Sequence, residues 1–417
     1  MNKALIIGGG GREHAIASAL KKEGVEVHLL PGNDGMKEEF ICHSGDQLNL
    51  GNILSVLQSL SDALVIIGPE APLDAGIAGS LREKGFKVFG PDKKAAMLES
   101  SKDFAKEFMN KYGIPTAPHF TCASIEECDK ALNQFAPPYV IKSDGLSGGK
   151  GVFIITEKKE ALERCQELLD GMLAEAGKMI VIEKFLNGRE VSCFAMFDGE
   201  KYVMLPSVQD YKKLNEGNLG PNTGGMGSFT PVPWVTDSMS AKINEKIILP
   251  TVEGLRKEDF DYKGIVYFGI MIMEDEEPMI LEYNVRFGDP EAQSVITSSI
   301  ADWYSLILQC AEGNLEDVEI ITKPVVTVVL ASGGYPGEFE KGHIIEGIES
   351  ITEENVSIFY SGVKMGDDQK TLVTAGGRVL SVTAVSSDPL QAREMAYNAV
   401  KKINFKNAYY RKDIAER

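Results

Sequence analysis

The chain has 417 residues, more than a single hydrophobic core usually organises, so two to four domains are expected. Hydrophobic residues at 43% and charged residues at 25% are the balance of a folded soluble protein, and no apolar run approaches the length of a membrane span. A net charge of -18 argues against non-specific binding to nucleic acid or anionic membranes, so basic residues that meet phosphates must be concentrated locally.

Six cysteines (Cys42, Cys122, Cys128, Cys165, Cys193, Cys310) lie scattered, without a C-x-x-C pair or a histidine at metal-ligand spacing. They read as reduced cytosolic thiols, against zinc or a disulfide framework. The N-terminus M-N-K-A-L-I-I-G-G-G-G runs straight into a strand, and no signal peptide is expected.

In the first hundred residues Lys3 to Ile7, Val25 to Leu30, Ala63 to Ile67 and Phe86 to Phe89 read as strands, with helices at Arg12 to Lys22 and Gly76 to Lys84. This alternation predicts a parallel α/β sheet. Strands end in glycine or proline loops, G-G-G-G-R-E-H at 8–14, P-G-N at 31–33, G-P-E at 68–70 and G-P at 90–91, which should line one crevice at the carboxyl edge. The first loop is not a dinucleotide fingerprint, because Glu13 or His14 stands where the third glycine is needed and Leu29-Leu30-Pro31-Gly32-Asn33 lacks a ribose-binding acid. It remains a glycine turn into a helix N-terminus, suited to one phosphate with Arg12 as partner, or a turn that needs glycine for its backbone alone. His14 reads as a packing residue.

From Glu99 the texture changes, and S-S-K-D-F-A-K-E-F-M-N-K-Y-G reads as an amphipathic helix started by a serine cap and stopped at Gly113-Ile114-Pro115. A small α/β unit follows, with a helix from Ile125 to Asn133, strands at Pro138 to Ser143, Val152 to Thr156 and Lys178 to Phe185, and a helix from Lys158 to Ala174. Lys142 and the loop D-G-L-S-G-G-K-G at 144–151, carrying Gly148, Gly149 and Lys150, would set charge and backbone N–H groups over a polyphosphate; a plain hairpin with two solvated lysines is the alternative. No G-K-[ST] ending makes it a Walker A loop. Strands near Cys193 to Phe197 and Lys201 to Leu205 precede a long loop, 208–229, whose glycines and Asp210, Lys212 and Lys213 favour a substrate loop.

A helix from Ser238 to Arg256 and a strand from Lys263 to Met273 lead to P-M-I-L-E-Y-N-V-R-F-G-D-P-E-A-Q at 278–293. Glu282, Asn284 and Arg286 alternate there, so one strand face carries a carboxylate, an amide and a guanidinium while Tyr283, Val285 and Phe287 point into the core. Oxygen donors of this kind suit Mg²⁺; a structural ion pair between Glu282 and Arg286 fits the same pattern. A helix from Ile300 to Cys310 closes this part. Beyond Pro324 a separate piece is expected, with strands Val325 to Leu330, Val356 to Tyr360 and Arg378 to Val385 and a helix from Pro389 to Lys402.

In this order the pieces resemble the ATP-grasp ligases, and within them the glycinamide ribonucleotide synthetase family. The resemblance spans essentially the whole chain. It is carried by G-G-G-R-E-H at 9–14, P-G-N at 31–33, G-P-E-A-P-L at 68–73, S-K-D-F at 101–104, I-K-S-D-G-L at 141–146, G-K-G-V at 149–152, G-P-N-T-G-G-M-G at 220–227 and R-F-G-D-P-E-A-Q at 286–293. The last two are the most specific.

The fold implied is an open parallel α/β sheet at residues 1–100, an ATP-grasp core at 101–119 and 188–322, its lid at 120–187 and a mixed β domain at 323–417. The activity implied is ATP-dependent joining of glycine to 5-phosphoribosylamine through a glycyl phosphate, in purine synthesis. ATP would be clamped by Lys102, Lys142 and the Gly148-Gly149-Lys150 loop, its adenine read at Glu183, Phe185 and Leu186 and its ribose at Glu190. Glu282 and Asn284 would hold Mg²⁺ or Mn²⁺, and Arg286, Gly288 and Asp289 would sit at the reacting carboxylate. Phosphoribosylamine would lie on Gly10, Gly11, Arg12, Glu13, Gly32, Asn33, Pro69 and Glu70, with Asp210, Asn222 and Thr223 helping to hold a substrate.

Three positions depart from the family pattern: the hinge reads Glu183-Lys184-Phe185 where Glu-Glu-Phe is common, and Tyr211 and Lys213 stand where His and Arg are common. A cytoplasmic enzyme of small molecules is implied, a monomer or weak dimer, without nucleic-acid or membrane partners. The competing readings are another ATP-grasp ligase or carboxylase of purine synthesis and a non-catalytic nucleotide sensor.

Overall fold

The computed structural model describes residues 1–146, 151–172 and 179–416. The first hundred residues form five parallel strands, β1 (Lys3–Gly8), β2 (Glu26–Pro31), β3 (Ile41–Cys42), β4 (Leu64–Ile67) and β5 (Val88–Phe89), in the order β3-β2-β1-β4-β5. Alternate residues of β1 serve two cores: Ala4 and Ile6 pack with Ile16 and Leu20 of the helix α1 (Gly11–Lys22), and Leu5 and Ile7 pack with Val65, Leu73 and Leu81. Both cores run on into the central sheet, the first through Phe194 and Tyr267, the second through Phe268 and Tyr283. The carboxyl ends of β1 and β4 are thereby fixed against the strands that carry the acidic residues.

Residues 119–184 hold an antiparallel sheet of β6 (His119–Cys122), β7 (Tyr139–Ser143), β8 (Val152–Ile155) and β9 (Ile180–Lys184), ordered β6-β9-β7-β8. Helices Ile125–Leu132 and Lys158–Leu169 close over it and share its separate core of Cys128, Leu132, Ile141, Cys165 and Ile182. The second helix stops at Leu169, short of the expected Ala174.

The central sheet contains β10 (Gly188–Phe197) and β11 (Tyr202–Asp210), then β14 (Gly227–Thr230), β15 (Gly264–Met273) and β16 (Pro278–Asn284), ordered β16-β15-β10-β11-β14. The expected long loop at 208–229 is therefore mostly paired backbone, since β11 runs to Asp210 and a ribbon of β12 (Lys213–Asn215) and β13 (Leu219–Asn222) fills the middle. Its polar, glycine-rich sequence lacks the apolar alternation that marks a strand, so only backbone pairing defines it.

The C-terminal strands are not a separate sheet. Val325–Ala331 pairs with β14 from Gly227↔Val328 to Thr230↔Val325, and Arg378–Val385 and Val356–Tyr360 extend the same sheet to eight strands. Gly227 permits the join, because a Cβ there would lie 2.6 Å from the Thr327 carbonyl oxygen. The helix Pro389–Val400 packs Ala392, Ala396 and Val400 on this extension.

The helices follow expectation only in places. The serine cap forms as expected, Ser101 Oγ accepting from the Phe104 N–H at 3.2 Å at the start of Lys102–Lys111, whereas Glu99 belongs to a preceding helix, Lys93–Ser100, that was not expected. The span 238–256 is Asp237–Ile243 and Leu249–Lys257 joined by a π-type turn at Asn244–Ile248, next to Pro250, which cannot donate within a helix. Glu291–Ser298 is an additional helix, Ser299–Ile300 a short strand, and the following helix begins at Trp303.

Candidate active site

The strand-end loops, the β7 end, β16 and the C-terminal extension meet around one cavity of about 360 Å³. Arg12, Lys102, Lys212, Arg286 and Arg378 line it opposite Glu70, Glu99, Asp210, Glu282, Asp289 and Glu291. A larger cavity of about 960 Å³, between β11 and residues 317–322, has no such convergence of opposite charges.

Glu282 and Asn284 both reach the cavity, as strand alternation predicts, while Tyr283, Val285 and Phe287 are buried behind them. The alternative pairing of Glu282 with Arg286 does not form. Arg286 donates from Nη2 to Glu99 Oε1 at 2.7 Å, and its Nε lies 3.4 Å from Glu70 Oε2. Burial alone would raise the Glu282 carboxyl, but the charges of Lys212, Lys102, Lys142 and Arg286 outweigh it and hold the group down at about 2. Asn284 Oδ1 accepts from Arg286 Nη2 at 3.4 Å. Glu99 is pushed up by burial, whereas in Glu70 burial is outweighed by Arg286 and Arg12.

Asp210, the last residue of β11, has a buried Oδ1 without a hydrogen-bond partner. Burial and then the charge of Glu291 push its carboxyl well above the usual carboxylate range. Glu291 accepts from Ser192 Oγ at 3.2 Å. Lys212 pairs with Glu190 and lies 3.7 Å from Glu282, so the expected ribose acid is engaged by a lysine of the substrate segment. Tyr211 and Lys213 stay outside the cavity lining: the Tyr211 hydroxyl accepts from the Ala415 N–H, and the Lys213 carbonyl accepts from Arg411.

Thr223 donates to the Lys212 carbonyl at 2.8 Å and accepts from the Gly225 N–H at 3.0 Å; Asn222 pairs with Lys213 in the ribbon. Asp289 is 3.3 Å from Arg378 Nη2 and accepts from Gln293 Nε2 at 2.8 Å, and Arg378 and Arg12 outweigh burial to lower its carboxyl. Gly288 leaves room for Glu291, whose Oε2 would lie 2.3 Å from a Cβ.

The glycine loop is tightly held. Glu13 accepts from the Gly10 N–H and from Arg12 Nε, each at 2.6 Å, and Arg12 Nη1 donates to the Phe287 carbonyl at 3.0 Å. Gly11 fits against Gln293 and Ser361, and Gly32 has φ +68. Asn33 Nδ2 donates to the Gly9 carbonyl at 2.8 Å and the Tyr360 carbonyl at 3.1 Å, stitching the first two loops to the C-terminal strand. Pro69 caps the short helix Glu70–Asp74. His14 is buried, accepts from the Tyr360 N–H at 2.9 Å and stacks on that ring, a packing residue.

On the β7 side, Asp144 accepts from the Lys102 N–H at 2.5 Å and Lys102 Nζ donates to the Glu99 carbonyl at 2.7 Å. Lys142 Nζ lies 2.9 Å from Glu183 Oε1, so the Glu183 side chain is spent on lysine. Phe185 and Leu186 bridge β9 to β10, with Leu186 buried. Gly148, Gly149 and Lys150 lie outside the described residues. The expectations gave Lys212 to a substrate loop, and it does line the cavity, but they omitted Glu99, Tyr267, Glu291 and Arg378; R-F-G-D-P-E pointed to Glu291, but only sheet topology brings Arg378 here.

This arrangement has close counterparts. Three models of phosphoribosylglycinamide synthetase match the chain: the N domain at residues 2–99, the ATP-grasp (A) domain at 100–292 and the C domain at 325–417. Phosphoribosylamine–glycine ligase of Caldanaerobacter subterraneus is 41% identical, with 99% of each chain covered, and that of Escherichia coli O157:H7 is 39% identical over 100% of this chain and 98% of its own. The crystal structure of phosphoribosylamine–glycine ligase from Thermotoga maritima superposes with a TM-score of 0.87 at 40% identity, covering 99% of this chain and 100% of that one. Biotin carboxylase from Campylobacter jejuni, at TM-score 0.76 and 14% identity over 98% of this chain and 92% of its own, shares the fold. With models of that family matching nearly end to end and relatives near 40% identity over full length, the chain belongs to the phosphoribosylglycinamide synthetase family.

Proposed function

We propose that the protein joins glycine to 5-phosphoribosylamine at the expense of ATP, giving glycinamide ribonucleotide, ADP and phosphate. The observation that carries this reading is the meeting of two oxygen donors, Glu282 and Asn284, with Lys102 and Arg286 around one cavity. The ionised carboxylate of Glu282 and the amide oxygen of Asn284 fit a hard divalent cation, Mg²⁺ or Mn²⁺, which usually takes one or two protein ligands. Such an ion, when bound, supplies charge neutralisation at the phosphate oxygens.

The chain's own residues do the positioning. Arg286 holds the glycine carboxylate, and Asp210 with Glu291 receives its amino group. Lys102 and Lys142 hold the ATP phosphates, while the backbone of 8–11 and Arg12 receive the 5'-phosphate of phosphoribosylamine. A glycine carboxylate oxygen bonds to the γ-phosphorus as the bond to ADP breaks. The amine nitrogen of phosphoribosylamine then attacks the acyl carbon, loses a proton and expels phosphate. Positioning and charge suffice for phosphoryl transfer, and no side-chain nucleophile is needed.

The division at 1–100, 101–119 with 188–322, 120–187 and 323–417 belongs to this reading, supported by the separate core of the lid. So does action on small molecules as a cytoplasmic monomer or weak dimer. No helix among the described residues is long and apolar enough to cross a membrane. The test is ADP release with ATP, Mg²⁺, freshly generated phosphoribosylamine and a panel of amino acids. Glycine-dependent turnover is expected, and equal ADP release without phosphoribosylamine would sink the reading.

A further inference from the structure

Lys106 lies one turn beyond Lys102 on the helix Lys102–Lys111, and it is only 2% exposed. Its Nζ is 3.0 Å from Glu183 Oε1 and donates to Thr116 Oγ1 at 2.7 Å. The same Glu183 oxygen is 2.9 Å from Lys142 Nζ, which also donates to the Leu281 carbonyl at 3.0 Å. Burial favours the neutral carboxyl, but the two lysines outweigh it and hold Glu183 below the usual carboxylate range, and although burial lowers the Lys106 ammonium to about 8, the group still carries its proton at neutral pH. Two ammonium groups on one carboxylate oxygen leave a surplus positive charge buried between the helix, β7, β9 and β16.

A buried surplus charge is costly unless an ion of opposite sign complements it. Thr116 and Leu281 offer only neutral oxygens. Lys142 directly precedes the cavity residue Ser143, and its charge helps to keep Glu282 ionised, so the surplus is felt inside the cavity. If Lys106 were absent, Glu183 and Lys142 would close into a neutral pair.

We infer that Lys106 is a positioning residue for the nucleotide: by sharing Glu183 it leaves the charge of Lys142 uncancelled for the polyphosphate. The inference rests on the ligase reading, in which Lys142 meets ATP. It is tested by titrating MgATP into the full chain by calorimetry. Lys106→Met is expected to weaken MgATP binding about tenfold or more, the scale of one unit charge in a partly screened site, while KM for glycine holds. The double variant Lys106→Met with Glu183→Gln removes one charge of each sign and is expected to regain most of that affinity, an outcome that mere loss of packing does not produce.

Unchanged affinity in Lys106→Met, or a double variant that binds no more tightly than the single one, overturns the inference. Should Lys106→Met prove too unstable to purify, the double variant decides alone: weakening of about fivefold or less supports charge sharing, and anything greater overturns it. A wild-type chain that binds no MgATP would overturn the ligase reading instead.

Discussion

On the glycine-loop side of the cavity the polar side chains are already answered within the fold: Glu13 by Gly10 and Arg12, Asn33 by Gly9 and Tyr360, His14 by Tyr360. On the side built from the ends of β11 and β16, Asp210 has a buried oxygen with no hydrogen-bond partner, and Glu282 has a distant lysine at 3.7 Å. A wall of satisfied side chains offers shape and backbone N–H groups. On this second wall Asp210 carries an electrostatic cost that a cationic ligand relieves, while the surrounding positive charges keep Glu282 ionised for a cation to bind. The first wall is therefore suited to holding a substrate still, and the second to managing charge as bonds change.

Glu282→Ala puts that contrast to its hardest test. Loss of the carboxylate is expected to cut glycine-dependent ADP release about 100-fold or more, beyond what second-layer contacts to a metal contribute. A variant retaining near-normal turnover would remove Glu282 from the charge-handling wall. Asp210→Asn comes next, with KM for glycine raised about 10- to 100-fold, the value of a hydrogen bond to a charged group. Its stability should move the other way. Burial and Glu291 raise the Asp210 pKa on folding, so the ionised form costs stability above the unfolded carboxylate pKa, and asparagine removes that cost. Thermal denaturation at neutral pH should show Tm higher by about 1–2 °C; a lower Tm would mean that the carboxylate is structurally compensated.

The two walls were unequally legible in the sequence. Glu282, Asn284 and Arg286 stand out because a period of two aligns them within five residues, and the structure puts all three in the cavity, although the strand itself ends at Asn284 and Arg286 follows it. The parallel sheet was equally readable, since each apolar run ends in a glycine or proline loop. Arg378 was not, because it arrives through β14 and Val325–Ala331, a pairing between strands about a hundred residues apart in sequence with no local mark. Glu99 was missed because the helix it belongs to, Lys93–Ser100, was not expected from the sequence. Glu13 looked like a binding residue by its place in a motif, yet its carboxylate caps the turn. Local periodicity reveals which face a residue shares, while long-range pairing decides whether its side chain is already spent.

Gly9→Ala probes the shape-giving wall. A Cβ at residue 9 would lie 2.3 Å from the Gly32 carbonyl oxygen, and neither backbone can yield without parting the two loops. Overpacking of this kind costs about 1–3 kcal/mol, measurable by denaturant unfolding, and KM for phosphoribosylamine should rise while KM for ATP holds. An equal rise in both would mean that the loop shapes the whole cavity and not one subsite.

His14 gives the smallest effect and separates packing from chemistry. Burial lowers its pKa from 6.5 to about 4, with Glu39 opposing and Lys21 adding, so the folded protein holds the imidazole neutral at physiological pH. A histidine with a lowered folded pKa contributes fully above its unfolded value. That contribution erodes as the pH falls from about 6.5 towards 4, by up to about 3 kcal/mol. His14→Asn should cost only about 1 kcal/mol at neutral pH, through the weakened bond from the Tyr360 N–H, and leave kcat unchanged. Because asparagine does not titrate, the unfolding free energies of the two proteins should converge and then cross as the solution is acidified. Parallel curves, or an altered pH dependence of turnover, would return His14 to the chemistry.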